Sequence, residues 1–311
     1  MQALWMLLAA FLFATMGVCV KLASAYFNNF EIVMYRGVIG MAGLLWWCQY
    51  RGAGLAFFKT RFPMMHLWRA TVGVTSLCCW FYAIAHIPLA TAMTMNYMSS
   101  VWIATFLVGG ALIMQRPGEP LARQGPLVVT ILLGFVGVAL LLRPTLNADQ
   151  GFAALVGLIS GVVAALAYLQ VSALAKVGEP ETRVVFYFSL GAAIAGGMGT
   201  LVVGTGVAGM GAVDAPAFSW WGAVWLLPVG ILALLGQICM TKAYASGATL
   251  LVANLQYTGI VVASLYSVWL FDDQLPPSSW GGMALIVVSG IAATVLRARS
   301  LPPTPPQEQL N

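Results

Sequence analysis

Amide, phenol and hydroxyl side chains recur at helical spacing inside stretches built otherwise of Leu, Val, Ala and Met. Thr75, Cys79, Tyr82 and His86 form one i, i+4, i+7 stripe, and Gln237, Thr241 and Tyr244 form another. Asn96 leads a second polar group with Tyr97, Ser99 and Trp102, and Asn254 leads a third with Gln256 and Tyr257. In an apolar medium such groups either hydrogen-bond between helices or face a wet cavity. The first role is the simpler reading for an isolated Ser or Thr. Amides at matching places in the chain, as Asn96 and Asn254 are, suit a cavity wall that orients a polar solute by hydrogen bonds. Candidate solute-binding residues are therefore Tyr82, Asn96, Tyr97, Ser99, Trp102, Tyr168, Asn254, Gln256 and Tyr257. Met93, Met95 and Met98 lie beside them, and a thioether-rich wall adapts to different shapes.

Bond-making chemistry finds no constellation here. His66 and His86 stand near opposite ends of one apolar stretch, so they cannot act together. No paired carboxylates occur within any such stretch, and Cys19, Cys48, Cys78, Cys79 and Cys239 have neither disulfide nor zinc spacing. No enzymatic activity, cofactor or metal is expected. Of the nine acidic residues only Glu31 falls inside an apolar run, which argues against a buried carboxylate relay. Facilitated movement of solute down its own gradient is the expectation that follows. Glu31 and Arg36 are about 140° apart around a helix and so do not share a face.

These residues must be held by elements that tolerate a medium without water. The chain of 311 residues is 61% hydrophobic and 7% charged, against about 25% charged in a soluble domain. Apolar stretches long enough to cross a bilayer run over about 3–24, 29–49, 65–86, 89–114, 125–143, 151–175, 182–205, 220–244, 247–271 and 278–297. Runs such as Leu127 to Leu142 lack the alternation of barrel strands, so the spans are helices. The expected fold class is all-α, a polytopic membrane bundle of ten transmembrane helices.

The net charge of +5 reports topology and not nucleic acid. Eleven of the fourteen Lys and Arg residues fall on one side of the ten-span arrangement, Arg51, Lys59, Arg61 and Arg69 among them, while Lys21 and Arg143 fall on the other. By the positive-inside rule both termini are cytoplasmic. On this count Arg36 is the one basic residue well within a span. Trp46, Trp47, Trp68, Trp220 and Trp221 near span ends fit an interfacial belt. The first span has no Lys or Arg ahead of it and reads as a retained helix, whereas the Pro-rich tail 300–311 reads as disordered.

An offset of 158 residues lays Ala90-Thr91 on Ala248-Thr249 and Asn96 on Asn254. The chain then divides into a first repeat, 1–146, and a second, 147–299, of five helices each. Five is odd, so the second copy enters the membrane from the opposite face. Such inverted repeats are a recurrent transporter plan. His86-Ile87-Pro88 and Ser246-Gly247 make tight turns at corresponding places, which sets two helical hairpins against each other at the centre.

The run Ala14-Thr15-Met16-Gly17-Val18-Cys19-Val20-Lys21, Arg36 in the second span, and Gly151 followed by Ala164-Ala165-Leu166-Ala167-Tyr168 together resemble the drug/metabolite transporter superfamily, EamA type. Within it, the chain is similar to bacterial inner-membrane amino-acid exporters over about residues 4–297. The resemblance implies export of small, neutral, partly apolar metabolites by alternating access, with amino acids, aromatic ones included, as the expected cargo. Another exporter of the superfamily, for multidrug or quaternary-cation substrates, and a non-transporting structural bundle are the alternatives. Expected partners are the small-molecule substrate and membrane lipid, with a monomer as one admissible state.

Overall fold

Lipid gives a peptide group nothing to bond, so a segment this apolar closes its own hydrogen bonds as a helix. The computed structural model describes residues 2–52, 54, 58–103, 105–106, 121–141, 150–205, 220–245, 249–272 and 277–300. Over these the regular secondary structure is helical. The helices are α1 (Gln2–Ala23), α2 (Asn29–Tyr50), α3 (Pro63–His86), α4 (Leu89–Tyr97), α5 (Leu121–Leu141) and α6 (Gly151–Lys176), then α7 (Glu181–Val203), α8 (Trp220–Ala245), α9 (Thr249–Leu255), α10 (Thr258–Phe271) and α11 (Pro277–Ser300). Among the described residues, six segments are long and apolar enough to cross a membrane: Ala3–Ala23, α3, α6, α7, α8 and Leu251–Phe271. The division near Asn147 and the tail 300–311 fall outside the described residues, save Ser300 itself.

Local sequence sets the helix ends. Asn28 accepts from the Glu31 amide at 2.9 Å while the Glu31 carboxylate accepts from the Asn28 amide at 2.9 Å, a reciprocal capping box that starts α2. Glu31 is thus spent on its own helix terminus. Pro63 opens α3, where a missing N–H costs nothing. At the far end of α3, Lys21 donates to the carbonyls of Ile84 and Ile87, at 3.2 and 2.9 Å, and satisfies orphan acceptors with a positive charge.

The helices pack in pairs: α1 on α8, α2 on α7, α3 on α6, and α5 on α11, with α4 crossing α10. Small residues set the closest approach. A side-chain carbon at Gly37 would stand 2.4 Å from the Ala193 amide nitrogen, and one at Gly196 would stand 2.5 Å from that of Met34. The α2 and α7 backbones therefore touch, as membrane helices without a hydrophobic driving force commonly do. Leu201, Val202 and Trp220 point away from the bundle at 80% exposure or more, an apolar outer surface suited to lipid.

Two helical stretches are interrupted. Between α4 and the helical residues 99–103 there is a turn at Met98, and between α9 and α10 a turn at 256–257. The last helical residues before the breaks, Tyr97 and Leu255, are 158 positions apart.

Candidate functional site

The breaks lie where α4 meets α6 and α10. Gly161 on α6 lets the Met95 carbonyl come so close that a side-chain carbon at 161 would stand 2.4 Å from it. Across the pair, the Ser100 hydroxyl donates to the Ala253 carbonyl just before the second break. Tyr97 lays its ring on Gly259 of α10, and Tyr257 lays its ring on Gly134 of α5, each within 2.7 Å of where a side-chain carbon would be. The Tyr97 and Tyr257 hydroxyls, the Ser99 hydroxyl and the Asn254 carbonyl oxygen are buried without a hydrogen-bond partner among the described residues.

Beside the first break is a central cavity walled by α1, α2, α3, α4, α6, α7 and α8. Asn96, Tyr97 and Tyr168 line it, as do Trp80, Phe188 and Gln237. So do two arginines. Arg36 is 3% exposed and Arg69 2% exposed. Their guanidinium carbons lie 5.0 and 4.3 Å from the centroid of one ring, Phe188, in cation–π contact. Arg36 Nε and Arg69 Nε and Nη1 have no hydrogen-bond partner among the described residues. Gly73, one turn after Arg69, makes room for it: a side-chain carbon there would sit 1.9 Å from Arg69 Nη1.

A larger cavity, of about 550 Å³, opens at the His86 end of the bundle. Asn28, Asn29, Cys78, Cys79, Tyr82 and His86 are in its wall. It begins within a turn of the central cavity along α3, since Leu77 and Trp80 line one and Cys78 and Phe81 the other. The opposite end of α3 carries a polar knot. Glu179 accepts from Thr60 at 2.7 Å and from Arg183 at 3.0 Å, and pairs with His66 at 3.2 Å. Tyr187 packs on the His66 ring and donates to the Phe58 carbonyl at 2.9 Å. Burial alone would push the Glu179 carboxyl up, but hydrogen bonds from Thr60, Arg183 and His66 outweigh it and hold it below its ordinary value.

The nine sequence candidates separate. Asn96, Tyr97 and Tyr168 meet at the central cavity. Asn96 also donates to Ser160 at 3.1 Å. Tyr82 belongs to the larger cavity. Ser99 is fully buried at the first break. Trp102 is tilted against Phe106 at 6.2 Å. Asn254, Gln256 and Tyr257 are buried at the second break, where Asn254 donates to Thr130 at 3.2 Å.

Sequence reasoning missed Arg69, Phe188 and Gly73. The charge count places Arg69 with the basic residues of one side, but it stands six residues inside α3 and reaches the same ring as Arg36. The signal available was the spacing Arg69 to Gly73, a long side chain with a bare backbone one turn on.

No protein-family model matches the chain. It is 34% identical over 290 residues to the pseudopaline exporter CntI of Pseudomonas aeruginosa (strain UCBPP-PA14), covering 92% of this chain and 93% of that one. The chain belongs to that exporter's family. It is also 28% identical over 292 residues to an uncharacterized transporter of Helicobacter pylori (strain J99), and 28% identical over 296 residues to a riboflavin transporter of Rhizobium johnstonii, covering 92% and 93% of this chain and 91% and 89% of those relatives. A solved crystal structure 21% identical in sequence superposes with a TM-score of 0.72 over 96% of this chain and 99% of its own, which shows a shared fold. Relatives named as transporters, together with six apolar spans, make this a multi-pass membrane transporter and not an enzyme. Its substrate is a small molecule.

Proposed function

We propose that the chain is an EamA-type drug/metabolite transporter of ten spans in two inverted halves, 1–146 and 147–299, exporting small amino-acid-like metabolites from the cytoplasm by alternating access. The observation that carries this reading is the pair of interrupted helices at matching positions. Breaks after Tyr97 and Leu255 are separated by the offset that lays Asn96 on Asn254. Interrupted helices in corresponding places of two halves mark the solute site of many secondary transporters, because the free backbone groups line a cavity. The packing supports it too. Exchanging the halves turns the α1 and α8 pair into the α6 and α3 pair, and carries α2 with α7 and α5 with α11 onto themselves.

In this reading the His86 end faces outward and the Thr60 end, rich in basic residues, faces the cytoplasm in the bacterial inner membrane. The open larger cavity and the knot around Glu179 then describe one access state, with passage closed from the cytoplasm. Asn96, Tyr97, Ser99, Trp102, Tyr168, Asn254, Gln256 and Tyr257 come to the solute as the halves rock, with Tyr82 on the outward path. Trp80, Tyr97 and Tyr168 favour a solute with a flat apolar part. The two arginines weigh against a strictly neutral one.

Counterflow in proteoliposomes tests the assignment. Vesicles loaded with amino acids and amino-acid derivatives should show saturable uptake of the labelled solute, lost when the protein is omitted. A bundle inserted correctly that drives no saturable uptake of any of them would be a structural protein.

A further inference from the structure

The wall of the central cavity is lopsided in what it offers. Its buried, unpartnered polar atoms are Arg36 Nε, Arg69 Nε, Arg69 Nη1, Trp80 Nε1, the Tyr97 hydroxyl and Gln237 Oε1. Four are pure donors, one can donate, and one only accepts. Two of the side chains carry fixed positive charge, and no Asp or Glu lines the cavity among the described residues. A buried charge without a partner costs several kcal/mol, and buried polar groups left unpaired in a native protein are rare. Two guanidiniums over one ring, with a notch at Gly73 to admit one of them, are a site with its counter-charge supplied from outside.

We propose that the solute carried through this cavity is a net anion bearing two carboxylates, one facing each guanidinium, with a flat or apolar part lying along Phe188, Trp80 and Tyr168. The inference rests on the central cavity being the solute site of the exporter proposed above. Each guanidinium is a planar fork matched to one carboxylate, so two forks converging on one place select a dicarboxylate over a monocarboxylate. A neutral amino acid supplies one carboxylate and places its ammonium beside two positive charges, with no acidic side chain in the wall to receive it. The space present in this conformation, about 40 Å³, admits water but no metabolite. Binding therefore accompanies a widening of the cavity toward the larger one that adjoins it at Leu77 and Cys78.

The experiment is thermal unfolding of the full chain in lipid nanodiscs, at constant ionic strength, with succinate, phthalate, inorganic phosphate, leucine or phenylalanine added. A ligand that binds the folded protein raises its unfolding temperature with concentration. Succinate and phthalate should stabilise the parent saturably, and leucine and phenylalanine should not. Arg36→Gln and Arg69→Gln should each weaken the dicarboxylates by about tenfold to a hundredfold, the loss of a charged hydrogen-bonded pair. Arg69→Lys keeps the charge but not the fork and should fall between. Gly73→Ala keeps both arginines yet displaces one, so it should also weaken the dicarboxylates, which guards against a Gln variant that fails to insert. The proposal is overturned if neutral amino acids bind as well as dicarboxylates, if the variants bind dicarboxylates like the parent, or if no probe binds. It is overturned equally if phosphate alone binds, which would make the site one for another anion. Counterflow of labelled succinate separates the two claims. Binding without counterflow upholds the dicarboxylate site and removes the transport reading, whereas counterflow of leucine without dicarboxylate binding does the reverse.

Discussion

Two of the places where this bundle buries charge treat it in opposite ways. At the Thr60 end, Glu179 is held by Thr60, His66 and Arg183 together, from the α2–α3 connection, α3 and α7. In the centre, Arg36 and Arg69 share the Phe188 ring, and three of their nitrogens bond to nothing described. A satisfied buried charge fixes how elements sit against one another. An unsatisfied one costs stability and persists where something outside the chain completes it. The difference separates a structural lock from the proposed binding site along one helix, since α3 contributes His66 to one and Arg69 to the other.

The comparison breaks most directly by removing charge from each place. Glu179→Ala should destabilise by about 1 to 3 kcal/mol, because Thr60, His66 and Arg183 lose their shared acceptor. Arg69→Met, of similar length and apolar, should cost little or even stabilise, since it removes a buried charge that lacks a partner. Denaturation of both variants in the same detergent reads the two signs. Equal losses would mean that the arginine is structural after all.

Between the two arginines lies the limit of what the sequence made legible. The all-helical class, the membrane-spanning character and the polar stripes follow from composition and spacing, because apolar runs and helical periodicity are local properties. Arg36 was readable as an intramembrane charge for the same reason. Arg69 was not: its backbone lies near a helix end, and a long side chain can carry its charge well away from its own Cα. The Asn28 and Glu31 box was hidden in a different way. Glu31 sits inside an apolar run, yet the chain turns into α2 just before it. The helix breaks left no signature either, since Met98 and Gln256 are neither Pro nor Gly. They depend on what packs there, the bare backbone of Gly161 beside the Met95 carbonyl and the Ser100 hydroxyl on the Ala253 carbonyl.

That dependence sharpens the contrast between centre and end. Gly161→Ala would place a carbon 2.4 Å from a backbone oxygen, which cannot rotate away as a side chain can. The α4 and α6 contact must open, and the expected loss is about 1 to 3 kcal/mol. Gly151 has nothing within reach of an added carbon, so Gly151→Ala is the matched control and should leave the unfolding midpoint nearly unchanged. A Gly161→Ala protein as stable as the parent would show that the approach of these backbones is not needed for the break.

The smallest effect expected is on pH, and it tests the locked end alone. The Glu179 carboxyl titrates below its ordinary value in the folded chain, because the hydrogen bonds from Thr60, Arg183 and His66 favour its charged form more than burial disfavours it. In the unfolded chain it returns to about 4.3. Across that interval the unfolded state binds more protons than the folded one, so stability rises with pH. The contribution is present in full above the unfolded value and is lost as pH falls through the lowered native one. Glu179→Gln removes the titration while keeping an acceptor oxygen for Thr60 and Arg183. The difference in unfolding midpoint between parent and Glu179→Gln should therefore shrink as pH drops from 6 toward about 3, a range that brackets the carboxylate. Arg69→Met should change the parent's acid dependence little, since Arg69 shares no hydrogen bond with the knot and its charge is the last and smallest of those felt at His66. If Arg69→Met flattens that dependence instead, the two buried charges are coupled through α3, and the division between lock and site fails.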